Sequence, residues 1–136
     1  MTEKQKMLMG ILYNAEDQAL IEERNHAKSL TRQFNEHWED KGRRNYLIGQ
    51  IFGSLGKNVH LEAPIYLDYG YRTTIGSDFF SNFNLTILDG GGVEIGNHVF
   101  PGPNVGIYTA NHPADVKRRE KGCLLYTSPS PRDTER

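Results

Sequence analysis

Apolar residues along this chain follow two different periods. Through about residue 54 they recur at sums of three and four, the spacing of helices that bury one side. Residues 2–9 read as a short helix: Thr2 and Gln5 form a capping-box pair, and Gly10 is a stop. Residues 12–17 read as a turn that leaves Asp17 to cap a second helix. Along that helix Leu20, Ala27, Leu30, Phe34 and Trp38 make one stripe. Glu22, Glu23, Arg24, Lys28 and Arg32 take the other faces, in solvating roles. Asp40 is placed to cap a third helix with Leu47, Ile48, Ile51 and Phe52 on its apolar side, and Gly53 and Gly56 end it. Residues 1–54 thus predict a helical module too thin to bury a core alone.

From Leu55 to Ile107 the period is twenty. Leu55-Gly56, Ile75-Gly76 and Ile95-Gly96 are one apolar-Gly pair repeated, with Val59, Phe79 and Val99 at the same offset. Ile65, Leu85 and Val105 follow, then Leu67, Ile87 and Ile107. Within a copy, Ile75, Ser81 and Ile87 stand six apart, as do Ile95, Pro101 and Ile107. This pattern predicts a parallel β-helix of hexapeptide repeats: three strands of six residues to a triangular coil, and two further residues in an outward loop. The apolar positions stack coil on coil. Glycine suits the corners, where a side chain crowds the next strand, and Asn58, Asp78 and Asn97 suit left-handed or locally bonded corner positions. The loop Leu88-Asp-Gly-Gly-Gly-Val93 holds the excess. The helical module is expected to cover the first coil, whose strand edges are otherwise open.

Composition narrows the class. A net charge of -1 gives no electrostatic case for nucleic acid. A mean hydropathy of -0.62 and the lack of a long apolar run argue against a membrane span, and no signal peptide opens the sequence, so a cytoplasmic setting is expected. One cysteine, Cys123, argues against a disulfide framework. The hydrophobic share of 37% is low for a self-sufficient globule, so partner chains are expected to supply some burial. Three segments follow: residues 1–54 as the helical module, 55–122 as coils and an excursion after Ile107, and 123–136 as a disordered tail. The tail's aperiodic Ser, Pro and Thr have the composition of a translated adaptor or cloning junction.

Few residues are placed to carry chemistry. His112, in Thr-Ala-Asn-His-Pro at the root of the excursion, suits proton acceptance near neutral pH, although a lone loop histidine is more often a surface residue. Asn82 can donate to a developing oxyanion, but asparagine is also an ordinary corner residue. Asn84 has a twin at Asn104, which favours a structural role. Asp68, Tyr69, Asp89 and Glu94 are polar groups near corners, able to meet sugar hydroxyls or simply solvated. Asn82 and His112 fall on different faces, so a site using both lies between chains, and a homotrimer of parallel prisms is expected. A shared zinc site needs closely placed histidines, whereas His60, His98 and His112 are far apart, so no metal is expected.

The motifs GILYNAED, DYGYRTTIG, SNFNLTILD and IGNHVFPGPNVGIYTANHP resemble those of the maltose and galactoside O-acetyltransferases, hexapeptide-repeat enzymes that use acetyl-CoA. The resemblance runs from about Lys4 to Gly122. It implies a left-handed β-helix with an N-terminal helical cap, a homotrimer, and transfer of acetyl from acetyl-CoA to a hydroxyl of maltose, glucose or a galactoside. It implies His112 as the catalytic histidine, Asn82 as the asparagine at the acyl-transfer centre and in the cofactor groove, and Asp68, Tyr69 and Asp89 at the acceptor. Asn14 and Ala15 lie where relatives often carry a sugar-binding aspartate, which passes that contact to Asp17 or Glu16. Ser81 stands for the usual alanine, and Gly90 for a second aspartate in some relatives. The family continues with coils carrying much of the cofactor groove, so the chain is expected to be truncated. A non-catalytic oligomerisation scaffold and acetylation of a non-sugar hydroxyl are the alternative readings.

Overall fold

The computed structural model describes residues 1–111 and 123–126, so His112 and the tail beyond residue 126 lie outside it. Three helices open the chain: α1 (Glu3–Leu8), α2 (Gln18–Glu36) and α3 (Lys41–Ile51). The predicted capping box closes α1: the Gln5 N–H donates to Thr2 Oγ1 at 3.0 Å and the Thr2 N–H to Gln5 Oε1 at 2.7 Å. Asp40 caps α3 by accepting from the Arg43 N–H at 3.1 Å. Asp17 stands at the α2 N-cap but makes no side-chain capping bond. The segment read as a turn holds a short strand, β1 (Tyr13–Asn14). The apolar stripe of α2 also ends earlier than its spacing predicts. Leu20, Ala27 and Phe34 are buried, but α2 stops at Glu36 and Trp38, past the helix end, is 53% exposed.

The twenty-residue period becomes strand register. One face pairs β2 (Ser54–Leu55) with β5 (Thr73–Ile75) and β8 (Val93–Ile95). A second pairs β3 (Val59–Leu61) with β6 (Phe79–Ser81), and a third pairs β4 (Ile65–Leu67) with β7 (Leu85–Leu88) and β9 (Gly106–Tyr108). All these pairs are parallel and offset by twenty, as in Ile65↔Leu85 and Ile87↔Ile107. The strands are three or four residues long, or two at Ser54–Leu55, rather than six, because corners take the rest of each hexapeptide. On the β3–β6 face the next coil contributes hydrogen bonds without a strand. The Phe80 N–H donates to the Val99 carbonyl at 3.3 Å and the Asn82 N–H to the Pro101 carbonyl at 3.1 Å. Prolines 101 and 103 have no N–H with which to continue that ladder.

The corners follow the expected chemistry with one change of residue. Asn58, Asp78 and His98 have φ of 58°, 57° and 61°, so at the third corner His98 takes the left-handed position, the first of the two roles open to Asn97. Asn97 bonds across coils instead, its Oδ1 accepting from the Ser77 N–H at 2.8 Å. Glycine is required at 76 because a Cβ there would sit 2.6 Å from the Gly96 carbonyl carbon. Inside, Ile65, Leu67, Ile75, Phe79, Leu85, Ile87, Val105 and Ile107 form one buried column that continues into Phe34, Leu47, Ile48 and Ile51 of the helices.

The helical module does cover the first coil. Asn35 of α2 takes both main-chain groups of Ile65: its Nδ2 donates to the carbonyl at 3.0 Å, and its Oδ1 accepts the N–H at 2.9 Å. An edge strand is thereby satisfied by one amide side chain. After β9, β10 (Ala110–Asn111) pairs antiparallel with β11 (Cys123–Tyr126), which also pairs with β1. Residues 123–126, read from composition as the start of a disordered tail, therefore form a strand; Cys123, Leu124, Leu125 and Tyr126 are the apolar part of that segment. Among the described residues no helix is long and apolar enough to cross a membrane.

Gly76 and Gly96 occupy the same repeat position, but no described atom lies within 4 Å of a Cβ at Gly96. Gly76→Ala is expected to cost about 1–3 kcal/mol of unfolding free energy by overpacking, and Gly96→Ala less than about 0.5 kcal/mol. Urea denaturation of the two variants checks this, and equal losses would contradict it.

Candidate active site

The coil corner after β4 and β7 carries a polar seam that extends into the helical module. At its centre Asp89 is fully buried. Its Oδ1 accepts the Tyr69 N–H at 2.8 Å and its Oδ2 accepts the Thr73 hydroxyl at 2.9 Å. Burial pushes the Asp89 carboxyl above the usual aspartate range, and the bonds from Tyr69, Thr73 and Gly70 pull it back. Asp89 thus holds the corner from within, and its two oxygens are already spent on that corner.

Tyr69 is held a second time, at its far end. Its phenol oxygen accepts from Arg24 Nη1 at 2.8 Å, while Arg24 Nη2 donates to the Ala15 carbonyl at 2.7 Å. The Arg24 guanidinium also lies 5.7 Å from the Tyr69 ring centroid, a cation–π contact. Arg24 therefore ties the loop after β1 to the solenoid corner. Asp68, next to the doubly held tyrosine, is partly buried. Burial raises its carboxyl pKa, Asp89 adds to the rise, and Arg24 and Lys28 oppose it. Asp68 lines a cavity of ≈ 520 Å³ between α2 and the β4–β7 face, with Lys28, Thr31, Arg32, Asn35 and Tyr66 among the other walls. Carboxyl and cationic side chains stand at the edges of this largely apolar cavity, beside the Tyr66 ring.

Asn82 stands at the opposite end of this face, before β7, whereas Asp68 and Asp89 follow the strands. A strand length, about 10–15 Å, separates the two ends. Asn82 Oδ1 accepts the Phe83 N–H at 2.8 Å, which leaves the amide's Nδ2 hydrogens to donate elsewhere. Asn84 keeps the structural role its repeat implies, with φ of 65° and a 2.9 Å bond from its Nδ2 to Asn104 Oδ1.

The structure brings together Asp68, Tyr69 and Asp89 and keeps Asn82 apart. Glu94 lies on the β2–β5–β8 face, away from the seam. Asp17 makes no hydrogen bond to the seam among the described residues. Asn14, before it, is committed to the cap: its N–H donates to Glu3 Oε1 at 2.6 Å and its Oδ1 accepts from the Glu16 N–H at 3.0 Å. His112 lies outside the described residues, but the strand leading to it is stitched to the seam. The Thr109 N–H and hydroxyl both donate to the Leu88 carbonyl, at 3.0 and 2.6 Å, and the Gly91 N–H donates to Thr109 Oγ1 at 2.8 Å. Sequence reasoning missed Arg24, Thr73 and Asn35. Arg24 carried a legible signal: it stands four after Leu20 and three before Ala27, on the buried stripe rather than beside it. The Ser81 hydroxyl is buried with no partner, and nothing in the structure explains it.

A parallel solenoid with a hexapeptide period, capped by helices and joined to them by a polar seam, defines the architectural class. Comparison with known proteins agrees. The family model described as the maltose acetyltransferase hexapeptide capping motif matches residues 6–56. A maltose O-acetyltransferase from Clostridium difficile 630 superposes with a TM-score of 0.87 at 43% identity, over 94% of this chain and 69% of that one. A galactoside acetyltransferase in complex with coenzyme A superposes with a TM-score of 0.88 at 33% identity, over 94% of this chain and 64% of its own. A Dictyostelium discoideum protein named as an acetyltransferase is 38% identical over 122 residues, 90% of this chain and 64% of that protein. The chain spans just under two thirds of such curated relatives, 64% in two cases and 63% in a third. It belongs to the maltose and galactoside O-acetyltransferase family of hexapeptide-repeat proteins.

The buried carboxyl predicts a pH effect. Folded Asp89 binds its proton more tightly than the unfolded chain, so protonation favours the fold. That contribution is complete below the ordinary aspartate value of 3.8 and is lost as pH rises through the raised folded value. The Tm of the wild type is therefore expected to fall with rising pH relative to Asp89→Asn, whose amide oxygen can still accept the Tyr69 N–H. Asp68 is present in both but is itself raised by Asp89, so the difference reports Asp89 together with its coupling to Asp68. Parallel Tm–pH curves would contradict the assignment.

Proposed function

We propose that this chain acts in acetyl transfer from acetyl-CoA to a hydroxyl of a sugar such as maltose, glucose or a galactoside. The carrying observation is the orientation of Asn82: its carbonyl oxygen is tied to the Phe83 N–H, so its amide N–H groups serve as donors at the end of the β4–β7–β9 face. The seam at the other end supplies the acceptor floor, with Asp68 and Tyr69 toward the sugar and Asp89 holding them in place. Asp17 is assigned to the acceptor rim. Asn82 also faces the acetyl-CoA groove, and no metal takes part.

In this reading His112 removes the proton from the sugar hydroxyl as its oxygen attacks the thioester carbonyl carbon. The carbonyl oxygen takes up negative charge and is met by the Asn82 amide. The carbon–sulfur bond then breaks, the ester stays on the sugar, and the coenzyme A thiolate takes the proton back from the imidazolium. In sequence His112 comes directly after β10, and Asn82 stands a strand length from the seam.

One prism does not join the two ends, so the site is assigned to a cleft between neighbouring chains of a left-handed, trimeric assembly. The outward side chains support this. Phe80 and Phe100 on the β3–β6 side and Tyr66 and Tyr108 on the β4–β7–β9 face are exposed, while Ser54, Thr74 and Glu94 line the remaining face. Two aromatic faces and one polar face suit a head-to-tail contact that closes into a ring.

The test is release of coenzyme A thiol with each sugar as acceptor. His112→Ala is expected to lower kcat about 10²–10⁴-fold and Asn82→Ala about 10²–10³-fold. Near-normal turnover in either variant would remove that residue from the mechanism. Mixing the two inactive variants after joint refolding is expected to restore part of the activity, since some clefts then carry both wild-type residues. A fully active monomer in sedimentation would reject the shared cleft.

A further inference from the structure

Two polar side chains near the seam, Tyr13 and Arg72, are not used by the mechanism above, and they flank one loop. Asp89-Gly90-Gly91-Gly92 turns tightly, with Gly92 at φ +85° and its N–H donating to the Asp89 carbonyl at 2.9 Å. The loop has no side chain of its own beyond Asp89. The Tyr13 hydroxyl stands over Gly90, 3.0 Å from where a Cβ would lie, and the Arg72 guanidinium stands over Gly92, its Nη2 3.1 Å from the corresponding point. Tyr13 is 3% exposed and packs with Met7, Ala15, Leu20 and Tyr69. Its hydroxyl makes no hydrogen bond among the described residues and is not one of their fully buried unpaired atoms. Arg72 Nε is buried without a partner.

We infer that Tyr13 and Arg72 are specificity-determining donors of the acceptor site, each binding an oxygen of the sugar that lies over the glycine loop. The inference rests on the sugar-acceptor reading and deepens it. The loop is short of side chains because those two donors reach over it from outside. Tyr13 comes from the helical module and Arg72 from the corner before β5, so both parts of the fold read the acceptor. A larger residue at position 90 displaces the Tyr13 hydroxyl and changes which sugar oxygens are read. Gly90 therefore belongs to the same selection through the space it leaves.

The experiment is calorimetric binding of maltose and methyl β-galactoside, with acetyl-CoA binding measured in parallel on the same protein. Tyr13→Phe is expected to weaken binding of the preferred sugar about 3–10-fold and Arg72→Ala about 10-fold or more. Acetyl-CoA affinity is expected to stay at the wild-type value in both variants. A merely structural role is separated by monodeoxy sugars. At one ring position, loss of the hydroxyl and Tyr13→Phe are expected to be non-additive, the second change costing nothing once the first is made. Wild-type sugar affinity in both variants, or additive losses at every ring position, overturns the inference alone. Wild-type protein that binds acetyl-CoA but no sugar overturns the acceptor reading together with it.

Discussion

Every coil of this solenoid depends on main-chain groups finding partners twenty residues away. Buried N–H and carbonyl groups are costly to leave unpaired, so a slip of register carries a penalty along each strand. That constraint explains features that otherwise look unrelated. Gly76 is bare because the Gly96 backbone passes through the space of its missing side chain. Asn58, Asp78 and His98 accept left-handed backbone so that three short strands can close a coil. Asn35 supplies to Ile65 the donor and acceptor that a preceding coil would have supplied. The helical module is thus a chemical continuation of the ladder as well as a hydrophobic lid.

The seam grows from the same stacking. A corner loop cannot take its hydrogen bonds from the strand ladder, so it needs another anchor. Asp89 provides one within the coil by accepting from Tyr69 and Thr73, and Arg24 provides another from the helices through the Tyr69 phenol and the Ala15 carbonyl. A tyrosine fixed at backbone and phenol has little freedom left, and its neighbour Asp68 inherits that rigidity. Preorganised polar groups bind a polar ligand with less ordering cost than mobile ones. The module that caps the fold is therefore also the part that stiffens the proposed acceptor side.

Much of the architecture was legible because the solenoid writes its geometry as a linear repeat. Ile65, Leu85 and Val105 can be aligned by eye, and they are stacked. The capping box at Thr2 and the cap at Asp40 were legible for a similar reason, since both are local. The misreadings share a cause. Trp38 continued the helical spacing, but spacing does not tell where the chain turns away toward α3. Asp89 looked like a ligand-facing acid because its sequence context is a polar loop; its commitment to Tyr69 and Thr73 depends on folding across a corner. Arg24 was assigned to solvent by residue type, although its position on the stripe placed it inward. Within the candidate site, corner position and the family resemblance singled out Asp68, Tyr69 and Asn82, while their division between two ends of a face became visible only in three dimensions.

That division bears on how such a fold can be catalytic at all. A prism of small radius presents flat faces, and flat faces do not surround a substrate. Its corners carry the variable polar groups, but neighbouring corners on one chain point away from each other. Bringing two corner chemistries to one substrate requires either a long loop that reaches across a face or a second prism laid alongside. The aromatic residues at Phe80, Phe100, Tyr66 and Tyr108 occupy outward strand positions or their equivalent, where isolated solenoid faces normally carry polar groups. Their burial against a neighbour would stabilise an assembly and turn a corner of each chain into one wall of a cleft. Under the proposed assembly, oligomer contacts and active-site geometry are consequences of the same surface pattern.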